Sequence, residues 1–170
     1  MITQAKALYQ EQTGSSTSKP ELAAMSLLMA GHYEQVIALL GAVKALSEEG
    51  KNTLIWAYIE HGNALVDQAK TKSGEGADRL FEAAAEKYAQ ALAIKPDMHE
   101  ALDNWGNALG AQAKTKSGED ADLLFEAAAE KYAQALAIKP DKHETLYNWG
   151  IALDAQAKTK SGEDADRLFE

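Results

Sequence analysis

A 44-residue unit recurs along the chain and constrains its fold more than any other feature. TKSGEGADRLFEAAAEKYAQALAIKPD begins at Thr71, TKSGEDADLLFEAAAEKYAQALAIKPD at Thr115 and TKSGEDADRLFE at Thr159; the first two copies differ only at Gly76/Asp120 and Arg79/Leu123. The register extends upstream through NALVDQAK, NALGAQAK and IALDAQAK, preceded by Gly62, Gly106 and Gly150. A period of this length marks stacked supersecondary units, each of which needs its neighbours to bury its apolar face.

Within a unit, Phe81, Ala84, Ala85, Tyr88, Ala91 and Leu92 recur at intervals of three and four, which puts them on one stripe of a helix over about Glu75 to Ile94. Leu102, Trp105, Leu109 and Ala113 make a second stripe, over about Glu100 to Lys114. Each unit is thus a helical hairpin. Pro96 and Pro140 close the second helices, and Asp97 with Glu100, or Asp141 with Glu144, has the spacing of a reciprocal N-terminal cap. Lys70, Lys72, Lys114 and Lys116 sit where a helix C-terminus favours cations, just before Ser73-Gly74 and Ser117-Gly118. Ser117 with Asp120 is expected to cap the following helix. Residues 1–50 are less regular: Ile2 to Gln12 reads as a helix, 14–20 as a flexible joint, and Glu21 to Ala30 with His32 to Leu46 as a shorter hairpin hinged at Gly31.

Charge narrows the partners. The net charge of −9 repels phosphate polyanions and anionic lipid, so neither nucleic acid nor a membrane surface is expected as a partner. No segment has the roughly 20 apolar residues of a membrane span, and MITQAKALYQEQTG lacks the pattern of a signal peptide. The chain has no cysteine, which removes thiolate chemistry and fits a reducing, cytoplasmic location.

NWGNALGAQAK followed by FEAAAEKYAQALAIKP resembles the tetratricopeptide repeat. Trp105-Gly106 and Leu109 match its first helix, and Ala128, Tyr132, Ala135 and Pro140 its second. His61-Gly62 with Ala84, Tyr88, Ala91 and Pro96 match one module earlier, and Leu27, Gly31, Tyr33, Val36 and Leu40 match in part. The resemblance implies an all-α fold, a right-handed superhelical solenoid of antiparallel helix hairpins. It divides the chain into an N-terminal helix and joint (1–19), a divergent hairpin (20–50), two elongated repeats (51–97 and 98–141) and a truncated one (142–170). The family unit is about 34 residues, so the excess falls in DQAKTKSGEG and its copies. It reads as a lengthening of both helices; the alternative is an ordinary hairpin with a projecting loop.

The family glycine lets paired helices approach, which would offset the roughly 1 kcal/mol that Gly62, Gly106 and Gly150 each cost a helix. The resemblance also implies a binding groove lined by first helices: Trp56, Ile59 and Asn63, then Glu100, Asp103 and Asn107, then Glu144, Tyr147 and Ile151. Six positions differ between 98–126 and 142–170, and Asp103/Tyr147, Asn107/Ile151 and Gly110/Asp154 all fall on that face. Acidic residues stand where terminal-carboxylate capture would need bases, so the expected ligand is a neutral or basic, partly apolar segment.

No catalytic, cofactor or metal site is expected. His99-Glu100 and His143-Glu144 lack the second histidine of a zinc-protease helix, and residues 118–122 lack the spaced oxygens of a calcium loop. The expected function is a non-enzymatic scaffold that binds a protein or peptide. The alternative is a structural module, natural or engineered, that self-associates through its last repeat. There Leu146, Trp149, Leu153, Leu168 and Phe169 are expected to lack a partner helix, giving a homo-oligomer.

Overall fold

The computed structural model describes residues 19–160, and all regular structure among them is helical. The elements are α1 (Lys19–Met29), α2 (Tyr33–Gly41), α3 (Glu48–Lys70), α4 (Glu75–Ile94), α5 (His99–Ala113), α6 (Gly118–Ile138) and α7 (His143–Ala157). The expected helix 2–12 and most of the joint at 14–20 lie outside the described residues. Lys19 and Pro20 already belong to α1, since proline suits a first helical turn. The chain divides into two compact units, one ending at Glu60 and the other starting at His61.

In the first unit, Ala24, Val36, Leu40, Leu54 and Ala57 form the core. The hinge expected at Gly31 is there, with φ of +77°, a conformation that glycine adopts without strain. The second helix of this hairpin ends at Gly41, short of Leu46. Glu21, although charged, is buried because it closes the start of α3. Its carboxylate accepts the Ser47 amide at 2.7 Å while the Ser47 hydroxyl accepts the Gly50 amide at 3.0 Å. A reciprocal cap is thereby completed by a residue distant in sequence. Gly50 is required there, because a Cβ would lie 2.3 Å from the Glu21 carboxylate.

The second unit repeats one core at the 44-residue period. Val66, Ala69, Ala77, Phe81, Ala84, Tyr88 and Ala108 make the first cluster. Ala113, Ala121, Phe125, Ala128, Tyr132 and Ala152 make the second, at equivalent positions. The small residues let helices approach while one phenylalanine and one tyrosine per module fill the space between them. Helices α4 and α6 match the sequence pattern closely, and α5 starts at His99. The extra residues extend the helices: α3 reaches Lys70 and α5 reaches Ala113, leaving only short turns before α4 and α6.

Helix starts depart from expectation. The N-caps of α5 and α7 are Met98 and Lys142 without a side-chain cap bond, so the acidic pairs at 97/100 and 141/144 do not form reciprocal caps. Met98 is buried, and its carbonyl takes the Ala101 amide at 3.1 Å. Both helices begin two residues after the aspartate, with a buried Met98 in one and a partly buried Lys142 in the other, so burial at that position does not set the start. Ser117 occupies the N-cap of α6 but makes no cap bond, so the Ser117/Asp120 cap is also absent.

Candidate functional site

The site is built on the glycine and tyrosine of each module. A Cβ on Gly62 would lie 2.7 Å from the Tyr88 ring, and one on Gly106 at 2.7 Å from the Tyr132 ring. Both glycines therefore meet the requirement expected of them. The two phenols reach the residue after the glycine: the Tyr88 hydroxyl donates to Asn63 Oδ1 and that of Tyr132 to Asn107 Oδ1, each at 2.9 Å. Burial pushes the Tyr132 phenol well above its usual range, with the Asp103 charge adding to the effect. It therefore stays a donor and holds the Asn107 carbonyl oxygen, which leaves the amide nitrogen of that side chain to face outward.

Lengthening the helices creates clasps between modules. Lys116, after the end of α5, reaches back to Asp78 on α4 at 2.7 Å, and Gln112 Nε2 donates to the same carboxylate at 3.3 Å. Lys116 and then Gln112 hold the Asp78 carboxyl below its ordinary 3.8, against a smaller opposing effect of burial. Lys160 makes the equivalent contact with Asp122 one module later. Of the lysines read in the sequence as helix-terminal cations, Lys116 thus joins successive helices.

Between α5 and α7 lies an open cleft of about 380 Å³, lined by Asn107, Gly110 and Lys114 on α5, Asn148 and Ile151 on α7, and Lys70 at the end of α3. Gly110 leaves it open: a Cβ there would make only ordinary contacts, 3.8 Å from Ala152 and 4.0 Å from the Tyr132 hydroxyl. Its counterparts are Val66 one module earlier, which is buried, and Asp154 one module later, which pairs with Lys158 at 2.6 Å.

Of the expected binding face, this cleft brings together Asn107 and Ile151. Tyr147 is 69% exposed and Ile151 41%, a helical turn apart on α7. Glu144 is exposed at the start of the same helix, and Glu100 is half-buried beside the His99 ring. Asp103 instead is only 3% exposed, because α7 packs on α5 and brings the Asn148 amide to 3.5 Å from its carboxylate. Ile59 is likewise buried, Trp56 is partly exposed and Asn63 is engaged by Tyr88. The cleft is consequently not the acidic groove expected: Asp103 is covered, and Lys70 and Lys114 take part in the lining. Gly110/Asp154, among the positions that differ between modules, was the available signal; the lysines gave none, because only packing brings Lys70 alongside α5.

The expectation for the last module also changes. Trp149 is half-buried and stacks on Tyr132 with ring centroids 6.3 Å apart, so it has a partner in the preceding helix. Leu153 is half-buried and Leu146 exposed. Leu168 and Phe169 lie outside the described residues. No group of three or more metal-ligating side chains occurs among the described residues, and no helix there is long and apolar enough to cross a membrane.

Residues 49–161, more than half of the chain, match the family described as plant specific mitochondrial import receptor subunit TOM20. No curated protein matches the sequence. The matched family corrects the cytoplasmic location expected from the absence of cysteine: a reducing environment is compatible with many sites, and the family is one of mitochondrial import receptors.

Proposed function

Because the chain belongs to the family of the plant-specific mitochondrial import receptor subunit TOM20, we propose that it is a non-catalytic receptor that captures precursor polypeptides on the face carried by α5 and α7. The observation that supports this reading most is the strip along α7. Tyr147 and Ile151 stand exposed between the carboxylates of Glu144 and Asp154. Spaced at three, four and three residues, these four side chains share one side of the helix. Two apolar contacts beside the exposed Glu144 carboxylate, with Asp154 shared with Lys158, complement a segment that is apolar on one face and basic on the other.

Within the second unit the hairpins are of the tetratricopeptide type with both helices lengthened, and they stack with a right-handed sense, divided at 97/98 and 141/142. The period, the repeated glycine–tyrosine contact and the repeated Asp–Lys clasp all support that arrangement.

The test is a titration of the full chain with a fluorescent amphipathic peptide built of leucine, alanine and arginine. Tyr147→Ala and Ile151→Ala should each weaken binding by about tenfold, as expected for an apolar anchor worth roughly 1.4 kcal/mol. Leu123→Ala, which removes an exposed apolar side chain from α6, should change nothing. Equal affinities for all four proteins would refute the assignment of this face.

A further inference from the structure

We infer that the exposed face of α7 pairs with the same face of a second copy of this chain, antiparallel about a two-fold axis passing between Asn148 and Trp149, and that this pairing regulates precursor capture by covering Tyr147 and Ile151. The regulatory half rests on the reading of that face as the precursor-binding strip; the pairing itself does not. The starting point is Gly150. In the two preceding modules the glycine at this repeat position has a tyrosine ring against it, Tyr88 on Gly62 and Tyr132 on Gly106, whereas among the described residues nothing lies within 4 Å of a Cβ placed on Gly150. Leu146, one turn earlier, is 49% exposed where its counterpart Leu102 is 4% exposed. Helix α7 thus presents a shallow hollow of a kind that this chain twice fills with tyrosine, and the same helix carries an exposed tyrosine, Tyr147.

One register brings the tyrosine and the hollow together. A two-fold contact pairs residue i with j and j with i. An antiparallel pair that sets Tyr147 on Gly150 of the second copy also sets Leu146 on Ile151 and His143 on Asp154, because the members of each pair are equidistant from the axis. Spacings of three and four keep these six residues on one side of α7. Asn148 and Trp149 turn the other way, to Asp103 and onto Tyr132. The contacts match in kind: an aromatic ring over a glycine, leucine on isoleucine, and an imidazole N–H opposite a carboxylate. The missing Cβ of Gly150 lets the two helices approach. One helix from each copy makes a small interface, so the dimer is weak and follows local concentration. Two chains of net charge −9 also repel each other, which salt screens.

Sedimentation equilibrium of the full chain tests the pairing. The average mass should rise from one chain towards two between about 10 μM and about 1 mM. The rise should be steeper at about 0.5 M salt than at low salt, the reverse of the salt dependence of basic-peptide capture. Gly150→Gln fills the hollow and should raise the dimer dissociation constant at least about tenfold. His143→Asp sets carboxylate against carboxylate and should raise it about threefold to tenfold; adding Asp154→Lys to that variant should restore pairing, because in this register the two positions meet. Thermal melts establish that each variant is folded. A wild-type mass of one chain throughout, a folded Gly150→Gln that pairs as well as wild type, or a double variant that is not restored overturns the inference. A mass that climbs beyond two chains marks an open, heterologous contact and overturns it as well. For the regulatory half, saturating the concentrated dimer with the arginine-rich peptide should return the mass to that of one chain with its peptide. A peptide that binds the dilute protein yet leaves the dimer intact overturns the occlusion. A peptide that does not bind the dilute protein at all refutes the capture reading, while the mass measurements without peptide still decide the pairing.

Discussion

Gly106 and Tyr132 are fitted to each other: the tyrosine ring occupies the space that a Cβ on the glycine would need, approaching to 2.7 Å. Gly150 holds the same repeat position, yet nothing lies within 4 Å of where its Cβ would be. The same substitution should therefore have opposite signs at the two sites. Gly106→Ala gains roughly 1 kcal/mol of helix propensity but overpacks a core contact at a cost of about 1–3 kcal/mol, for a net loss of up to about 2 kcal/mol. Gly150→Ala should gain up to about 1 kcal/mol. Urea unfolding midpoints of the two variants measure the difference, and equal shifts would contradict the packing account.

The Tyr132 hydroxyl gives a second test. Tyr132→Phe leaves the Asn107 carbonyl oxygen without its donor and should destabilise the fold by about 1 kcal/mol. Because the folded-state phenol is raised, its contribution to stability is complete below the ordinary value near pH 10 and is lost as pH rises beyond it. Absorbance titration of the phenols at alkaline pH should show a late-ionising tyrosine in wild type that is missing from the variant.

For the inter-module clasp the sign is reversed. Asp78 is depressed in the folded state, chiefly by Lys116, so its stabilisation is present above the ordinary value of 3.8 and disappears as pH falls below it. Asp78→Asn should lower stability at neutral pH by about 1 kcal/mol and flatten the loss seen on acidification. Thermal melts from neutral pH to about pH 3 check both effects; a variant whose acid profile parallels that of wild type would show that the clasp contributes nothing.

Binding on the α7 strip should also depend on charge. Glu144 is exposed, so its attraction for a basic peptide acts through solvent and is screened by salt. Glu144→Lys should weaken binding of the arginine-rich peptide by about threefold to tenfold at low salt and by less at about 0.5 M salt. A loss independent of ionic strength would point to local disruption instead.

The hairpins, the helix Glu75–Ile94, and the helix read over about Glu100 to Lys114 and found at His99–Ala113, were legible because they depend on local periodicity and on a repeat that displays each feature more than once. The helix starts were read less well. The capping patterns at 97/100 and 141/144 place the N-cap on the aspartate, whereas α5 and α7 both take it one residue later, at Met98 and Lys142.

What the amino-acid sequence determined by itself is the module: which residues are helical and which stripe is apolar. Tertiary structure decided the surface. Asp103 and Tyr147 occupy the same repeat position, yet one is buried by the helix packed on it and the other is exposed. Lys70 and Lys114 are a full module apart in the chain and meet at one cleft. Side-chain periodicity fixes the direction a residue takes from its own helix, but the helix that arrives from the next module fixes whether that direction leads to solvent, to a partner or to a cavity.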